Sequence, residues 1–227
     1  HGASSVLLQN MSEMYRAEVG YPIGYFWGYE TDGIIQNAED SANYVNSNGN
    51  LYFDDIQPGD VRYVNQNGDT LINDDDKVML GDPNPDYIFG FQMNMEYKGL
   101  YLQVAANGQA GHQIAKNYRS GTRSQFTEED FDRWHGEGTS NEQPRLDAKL
   151  HTRNDLWFSD IYIEDADFLR ISNITLGYDV NRLFKDSPLQ EARVYFTAKN
   201  MFTFTKYSGM DPEVGYAPDS WASGVDL

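Results

Sequence analysis

The feature that most constrains this chain is a strict alternation of side chains in YIFGFQMNMEY, residues Tyr87–Tyr97. Every odd-numbered residue of this stretch is aromatic or Met, and most of the even-numbered ones are polar. Because successive side chains of a β-strand point to opposite faces, this period predicts a strand with one apolar face. The pair Lys98-Gly99 then leads into a second alternating run, LYLQVAANG, which predicts a tight hairpin.

Further runs predict more strands. In FLRISNITLGY, Phe168–Tyr178, the apolar residues change parity at Ser172-Asn173, which predicts a β-bulge there. ARVYFTAKNMFTF, Ala192–Phe204, alternates in the same way, and weaker candidate strands lie in Ser12–Glu18 and Tyr21–Tyr29. We therefore expect an all-β fold of antiparallel strands with little helix.

Long polar segments separate these runs, and we expect them to be loops: Gly33–Pro85, Ala110–Ile161 and Ser208–Leu227. Loops of that length are unusual in compact soluble domains and usually carry function. Within the second one, FTEEDFDRW predicts a short helix with Thr127 as its N-cap.

Two environments produce such strands. A soluble β-sandwich buries the apolar face in its core, whereas an outer-membrane barrel turns it towards lipid and keeps the polar face towards a wet lumen. Strands of this length, a tight turn at one end and long loops at the other suit the barrel. Since even the smallest bacterial barrels need about eight strands, we expect this chain to be one side of a larger barrel.

Composition excludes several classes of function. With 17 Lys and Arg against 35 Asp and Glu, the formal net charge of −18 argues against nucleic-acid binding. The absence of Cys excludes disulfides and thiolate sites. The carboxylates crowded at Glu128–Asp132 fit a solvated helix face better than catalysis, so we do not expect an enzyme.

Five longer motifs carry a resemblance to a known family. They are GYPIGYFWGYETDGI (20–34), PGDVRYVNQNGDTLINDDDKVMLGDPNPDYIFGF (58–91), RWHGEGTSNEQPRL (133–146), YIEDADFLRISNITLGY (162–178) and ARVYFTAKNMFTFTKYSGMDPEV (192–214). In this order and spacing, the chain resembles the C-terminal barrel portion of the SusC/RagA family of TonB-dependent outer-membrane transporters of Bacteroidetes.

The resemblance implies a transmembrane β-barrel of about 22 strands with long extracellular loops and an N-terminal plug domain. It implies a SusD-like lipoprotein as partner, energy from TonB through an N-terminal region, and import of an oligosaccharide or peptide. Residues 1–227 would be the C-terminal segment of that barrel, with the plug domain and the final strand outside this chain.

The barrel hypothesis assigns the two faces of the strands. Lipid-facing positions are expected at Phe89, Phe91, Met93, Val194 and Phe196. Lumen-facing charges are expected at Arg170, Arg193 and Lys199.

The stretch NQNGDTLINDDD has the oxygen spacing of a calcium loop. The candidate ligands are Asn65, Asn67, Asp69, the Leu71 carbonyl, Asn73 and Asp76. The alternative is a metal-free turn whose Asn and Asp side chains bond the backbone. Position 6, where a sharp turn favours Gly, is Thr70, and position 12 is Asp where an EF-hand has Glu.

Two tryptophans in long loops, Trp134 and Trp221, are candidates for contact with a ligand or with the lipoprotein lid. From the residues alone, the alternative to the transporter is a secreted soluble β-sandwich, a carbohydrate-binding module with a structural calcium loop.

Overall fold

The computed structural model describes residues 5–7, 14–116, 131–146, 153–182, 192–213 and 225–226. Within them, the strands are mostly antiparallel and the helices are short, which confirms the predicted fold class. The chain divides into two compact units. The first comprises His1–Pro83, Gln113–Glu164 and Val214–Leu227, and the second comprises Asn84–His112 and Asp165–Glu213.

The elements are numbered in chain order. The strands are β1 Ser5–Leu7, β2 Tyr15–Glu18, β3 Tyr25–Tyr29, β4 Thr31–Ile34, β5 Val61–Tyr63, β6 Lys77–Gly81, β7 Tyr87–Tyr97, β8 Leu100–Ala110, β9 Gln113–Lys116, β10 Ile163–Asp165, β11 Phe168–Asp179, β12 Arg193–Thr205 and β13 Val225–Asp226. The α-helices are α1 Ala38–Asn43 and α2 Arg153–Leu156. Among the described residues, no helix combines the length and the apolarity that a membrane span requires.

The second unit is an antiparallel sheet with the strand order β12-β11-β8-β7. Strand β7 has the predicted bounds, and the predicted hairpin to β8 turns on Lys98 and Gly99. Both turn residues have positive φ, 50° and 88°, which a two-residue type I′ turn requires. Glycine adopts this conformation without strain. The type I′ turn also matches the natural right-handed twist of the two strands that it joins.

The predicted β-bulge is present in β11. Its register shifts between Ile171 and Asn173 against both neighbouring strands. Because Ser172 is the extra residue opposite β8, Ile171 and Ile174 lie on one face despite their odd spacing. The bulge therefore restores the alternation that the sequence interrupts.

The first unit contains smaller sheets. The strand orders are β1-β2-β3-β6, β10-β9-β13 and β4-β5. The two weak strand candidates are present in shortened form as β2 and β3. Met14, Tyr15, Phe26 and Ala115 are buried together in one core.

The expectation of plain loops is wrong: Ala110–Ile161 contains β9 and α2, Ser208–Leu227 contains β13, and Gly33–Pro85 is not a plain loop either. It contains β5, α1 and β6, and it supplies most of a second core whose buried members are Tyr29, Ile34, Ile35, Tyr44, Val61, Tyr63 and Ile72. These apolar residues are too widely and irregularly spaced to give a period. Aromatic packing closes this core, with Tyr29 and Trp157 stacked at a centroid distance of 4.4 Å. The helix predicted at Thr127 lies largely outside the described residues.

Candidate functional site

The sheet of the second unit has two unlike faces, and the strand register determines them. Reading across the four strands, Phe91, Ala106, Ile171 and Phe202 lie side by side. The next row on that face consists of Met93, Val104, Ile174 and Ala198. All of these side chains are apolar, so the face is apolar from strand to strand as well as along each strand.

This apolar face is exposed within the described part of the chain. Phe91 is 58% exposed, Val194 66% and Phe196 70%. Soluble monomers rarely expose a continuous apolar surface that extends over four strands. The five residues predicted to be lipid-facing all lie on it: Phe89, Phe91, Met93, Val194 and Phe196.

The opposite face is polar. One of its rows consists of Asn94, Gln103, Thr175 and Thr197. The Thr175 and Thr197 hydroxyls are 3.0 Å apart, within hydrogen-bond distance. The charges predicted to avoid lipid, Arg170, Arg193 and Lys199, are all on this face.

Arg170 is the most engaged of these cations. Its guanidinium donates to Glu213 Oε2 at 2.6 Å, to Asp211 Oδ1 at 2.5 Å and to Thr203 Oγ1 at 3.1 Å. The side chain is only 13% exposed, so the two carboxylates compensate a largely desolvated charge. These contacts hold the segment after β12 against the polar face.

Aromatic rings cover glycines at both ends of the sheet. A Cβ atom at Gly177 would lie 2.1 Å from Cζ of Tyr101, the residue opposite it on β8. Likewise, a Cβ at Gly108 would lie 2.4 Å from Cζ of Phe89. Any side chain at Gly108 or Gly177 would displace the ring that covers it. Both glycines are therefore needed for these rings to pack against the sheet.

In the Asn65–Asp76 loop, the candidate calcium ligands bond the backbone of the loop itself. Asn65 Oδ1 accepts from the Gly68 N–H at 2.6 Å, and Asn67 Oδ1 accepts from the Asp69 N–H at 2.8 Å. The other ligands also make bonds inside the loop: Asp69 Oδ1 accepts from Leu71 N–H, Asn73 Oδ1 from Asp75 N–H, and the Leu71 carbonyl from Asn65 Nδ2.

Asp76 anchors this loop. Its fully buried carboxylate accepts from the N–H groups of Gln66 at 2.9 Å and Asn73 at 2.8 Å. Nearby, a hydrogen bond from Lys77 lowers the pKa of Asp74. The described residues contain no group of three or more acidic, His or Cys side chains arranged for a metal. Calcium binding through the Asn and carbonyl oxygens stays a prediction.

Asp76→Asn tests both roles of the loop. The amide nitrogen would face a backbone N–H in a buried site, so we expect a loss of about 1–3 kcal/mol in the unfolding free energy without calcium. If the loop binds calcium, adding the ion raises the melting temperature of the original protein and not that of the variant. Asp75→Asn is the control because Asp75 is exposed and outside the candidate ligand set. Melting curves that calcium and chelator leave unchanged would contradict the calcium prediction.

Of the two candidate tryptophans, Trp134 is partly buried against the second core of the first unit. Its ring covers Gly59, where a Cβ would lie 2.5 Å from Trp134 Cε3. Its indole nitrogen is buried without a partner among the described residues. Trp221 lies outside the described residues, and contact of either tryptophan with a ligand or lid stays a prediction.

Sequence reasoning missed a buried polar network around Asp60. Asp60 Oδ1 accepts from Arg145 Nε at 2.8 Å and from Asn154 Nδ2 at 2.9 Å, and Oδ2 accepts from the Gln57 N–H at 2.9 Å. Asn154 Oδ1 in turn accepts from the Val61 N–H at 3.0 Å. Arg145 and Asn154 lie 85 and 94 residues from Asp60 along the chain, so no local pattern reveals their contacts with it.

Burial also perturbs the tyrosines of this core. Desolvation raises the pKa of Tyr63 well above its ordinary value, and that of Tyr44 also rises. The Tyr44 hydroxyl donates to the Tyr63 carbonyl at 2.5 Å. Both side chains are therefore neutral hydrogen-bonding groups at physiological pH, and their role here is structural.

Several known proteins are similar to this chain in sequence. No protein-family model matches the chain. TonB-dependent receptor P3 of Formosa agariphila is 28% identical over 221 residues, which cover 94% of this chain and 20% of that protein. TonB-dependent receptor SusC of Bacteroides thetaiotaomicron is 30% identical over 178 residues, which cover 78% of this chain and 17% of that protein. The chain therefore spans about a fifth of the length of these relatives.

The fold has solved counterparts. The RagAB peptide transporter matches 99% of this chain with a TM-score of 0.67 at 23% identity, and the match covers 23% of the transporter chain. The RagAB peptide importer in its open-open state matches with a TM-score of 0.66. The sequence relatives are receptors, so the sequence comparison favours neither the soluble carbohydrate-binding module nor an enzyme. The chain is homologous to part of the SusC-like TonB-dependent receptors and has the fold that this part adopts in RagAB.

Proposed function

We propose that this chain forms part of the wall and outer loops of a TonB-dependent importer in the bacterial outer membrane. The cargo is a bulky nutrient, an oligosaccharide or a peptide. A SusD-like lipoprotein acts at the extracellular mouth, and TonB supplies the energy. The observation that carries the proposal is the four-stranded sheet with one apolar and one polar face, in a chain homologous to TonB-dependent receptors.

A barrel in a membrane accounts for both faces and for the open edges of the sheet. Among the described residues, β7 pairs only with β8, and β12 only with β11. Unpaired strand edges are costly in lipid, and barrel closure removes them by adding neighbouring strands. The apolar face then meets lipid and the polar face lines the lumen. The 11 residues of β7 suit a tilted transmembrane strand.

The lengths of the connections orient the sheet. The β7–β8 connection is the two-residue Lys98-Gly99 turn, whereas 57 residues separate Ala110 from Phe168 at the other end of the sheet. Outer-membrane barrels have short periplasmic turns and long extracellular loops. We therefore place the Lys98-Gly99 turn on the periplasmic side and the long connection between β8 and β11 on the extracellular side.

Site-specific labelling tests the assignment of the two faces. The chain has no Cys, so Phe91→Cys and Gln92→Cys each introduce a single labelling site. These neighbours lie at nearly the same depth on opposite faces. In reconstituted vesicles, we expect lipid-bound nitroxide to quench a fluorophore at position 91 at least about threefold more strongly than one at position 92.

Met93→Cys and Asn94→Cys repeat the comparison one step along β7 and control for label-specific effects. Stronger lipid quenching at the even-numbered positions would reverse the assignment and contradict the proposal.

Fractionation gives an independent readout. The protein should appear in outer-membrane fractions as a species whose gel mobility shifts on boiling, as that of closed barrels does. A soluble, heat-insensitive species would instead favour the β-sandwich.

A further inference from the structure

The segment after β12, residues 206–213, leaves the sheet and lies against its polar face, at the end remote from the Lys98-Gly99 turn. We call this segment the strap. Its Tyr207 and Pro212 side chains are buried. The Pro212 carbonyl oxygen lies 3.3 Å from Nε2 of His112, which is itself only 5% exposed. The strap therefore covers part of the polar face where, by the proposed orientation, the lumen opens to the outside.

The strap is attached to the sheet through Arg170. Nη1 of Arg170 donates to Glu213, and Nη2 donates to Asp211. The Glu213 N–H also donates to Asp211 Oδ1 at 2.9 Å, which keeps the two acidic residues together. Their side chains are 41% and 55% exposed, so water competes for both carboxylates. Because solvated ion pairs contribute little stability, this attachment is reversible.

The sheet itself holds the Arg170 guanidinium in place. Nε donates to Thr203 Oγ1 at 3.1 Å, and Cζ lies 5.3 Å from the centre of the Phe168 ring. Neither contact uses the two outer nitrogens of the guanidinium, which form the fork that matches a carboxylate. If the strap leaves, an oriented carboxylate site remains on the polar face.

The polar face around Arg170 is positively charged. From β7 to β12, the row of Arg170 and the rows on either side of it consist of Ile88, Gln109, Phe168 and Thr205, then of Gly90, Asn107, Arg170 and Thr203, and then of Gln92, Ala105, Asn173 and Lys199. These three rows contain two cations, Arg170 and Lys199, and no carboxylate. In a chain with a net charge of −18, such a patch favours an anionic ligand.

We infer that Arg170 binds a carboxylate of the cargo and that the strap closes this site from within the chain. In the closed state, Asp211 and Glu213 occupy the guanidinium. In the open state, a carboxylate of an acidic peptide or an acidic sugar replaces them. Because the cargo binds only the open state, it shifts the strap towards opening.

The inference rests on the proposed function, because it takes the polar face to be the wall of the lumen. It goes further by assigning a charged class of cargo and a gate at the extracellular mouth.

Binding of acidic tetramers to the full-length protein in vesicles tests the site. The probes are tetra-aspartate and tetragalacturonate, and the tighter of the two identifies the source of the carboxylate. Their uncharged counterparts are tetra-asparagine with blocked termini and galactotetraose. We expect Asp211→Asn combined with Glu213→Gln to tighten binding of the acidic probe about tenfold, because the internal competitor is removed. Arg170→Met should weaken binding at least about tenfold.

The matched control is Asp55→Asn combined with Asp75→Asn. It removes two exposed carboxylates of the first unit, so it changes the net charge equally and should bind like the original protein.

A spin label on Met210→Cys reports on the strap itself. The chain has no other Cys, and Met210 is 76% exposed, so the label fits the closed strap. We expect the acidic probe to make this label more mobile in the otherwise original protein. In the variant without the Asp211 and Glu213 carboxylates, the label should be mobile before any probe is added.

Three results would overturn the inference: equal binding of the acidic and uncharged probes, unchanged affinity in the strap variant, or a label whose mobility the bound probe leaves unchanged. A heat-modifiable gel shift of each variant shows that it has folded. A protein that is folded in the outer membrane but gives any of these results contradicts this inference alone. A protein in the soluble fraction contradicts the proposed function itself.

Discussion

Replacing Met93 by Arg is expected to destabilise the folded protein in a bilayer by about 2–4 kcal/mol. Met93 lies near the middle of β7 and in the centre of the apolar face, in a row with Val104, Ile174 and Ala198. A guanidinium there would be stranded near the middle of the hydrocarbon layer, where Arg on the lipid face of a barrel costs most.

The matched control is Gln92→Arg, one residue away on the polar face. There the guanidinium remains in the hydrated lumen, so we expect a change below about 1 kcal/mol. Urea titration of both variants refolded into the same vesicles measures the difference. Equal destabilisation by the two substitutions would contradict the assignment of a lipid face and a lumen face.

Replacing Asp60 by Ala is expected to cost about 3 kcal/mol of local stability in the first unit. Asp60 is 5% exposed, and its carboxylate accepts from Arg145, Asn154 and Gln57. Removing the carboxylate leaves a guanidinium and an amide without their acceptor in a mostly desolvated site. The cost of that desolvation is then uncompensated.

Asp55→Ala is the control because it removes the same kind of ion pair at the surface. Asp55 Oδ1 accepts from Arg153 Nη2 at 2.6 Å, but its side chain is 71% exposed, so we expect less than about 1 kcal/mol. Hydrogen exchange at the Val61 amide reports on the network, since this N–H donates to Asn154. Unchanged protection of Val61 in Asp60→Ala would show that the network does not stabilise the first unit.

The network has a structural consequence for the proposed transporter. Through Asp60, Arg145 and Asn154, it ties two distant segments of the chain to the start of β5. Similarly, Asn141 Oδ1 accepts from the Ile34 N–H at 3.0 Å, and Asp160 Oδ1 accepts from the Thr31 hydroxyl at 2.6 Å. Such long-range contacts order the loops. A surface that binds a partner or a cargo requires loops that are ordered in this way.

Local alternation in the sequence determined the second unit. In β7, β8 and β12, a period of two specifies which side chains share a face, and Lys98-Gly99 specifies a type I′ turn. Even the bulge in β11 was predictable, because a change of parity in the apolar pattern requires an extra residue. These features depend on neighbours along the chain, so the sequence alone contains them.

The tertiary structure alone decided the first unit. Its core joins Tyr29, Tyr63 and Trp157, and its polar network joins Asp60 to Arg145 and Asn154. No short window contains these partners, and single buried residues between polar ones produce no period. The physical reason is that alternation follows the geometry of one strand, whereas a core built from loops depends on contacts between segments that only folding brings together.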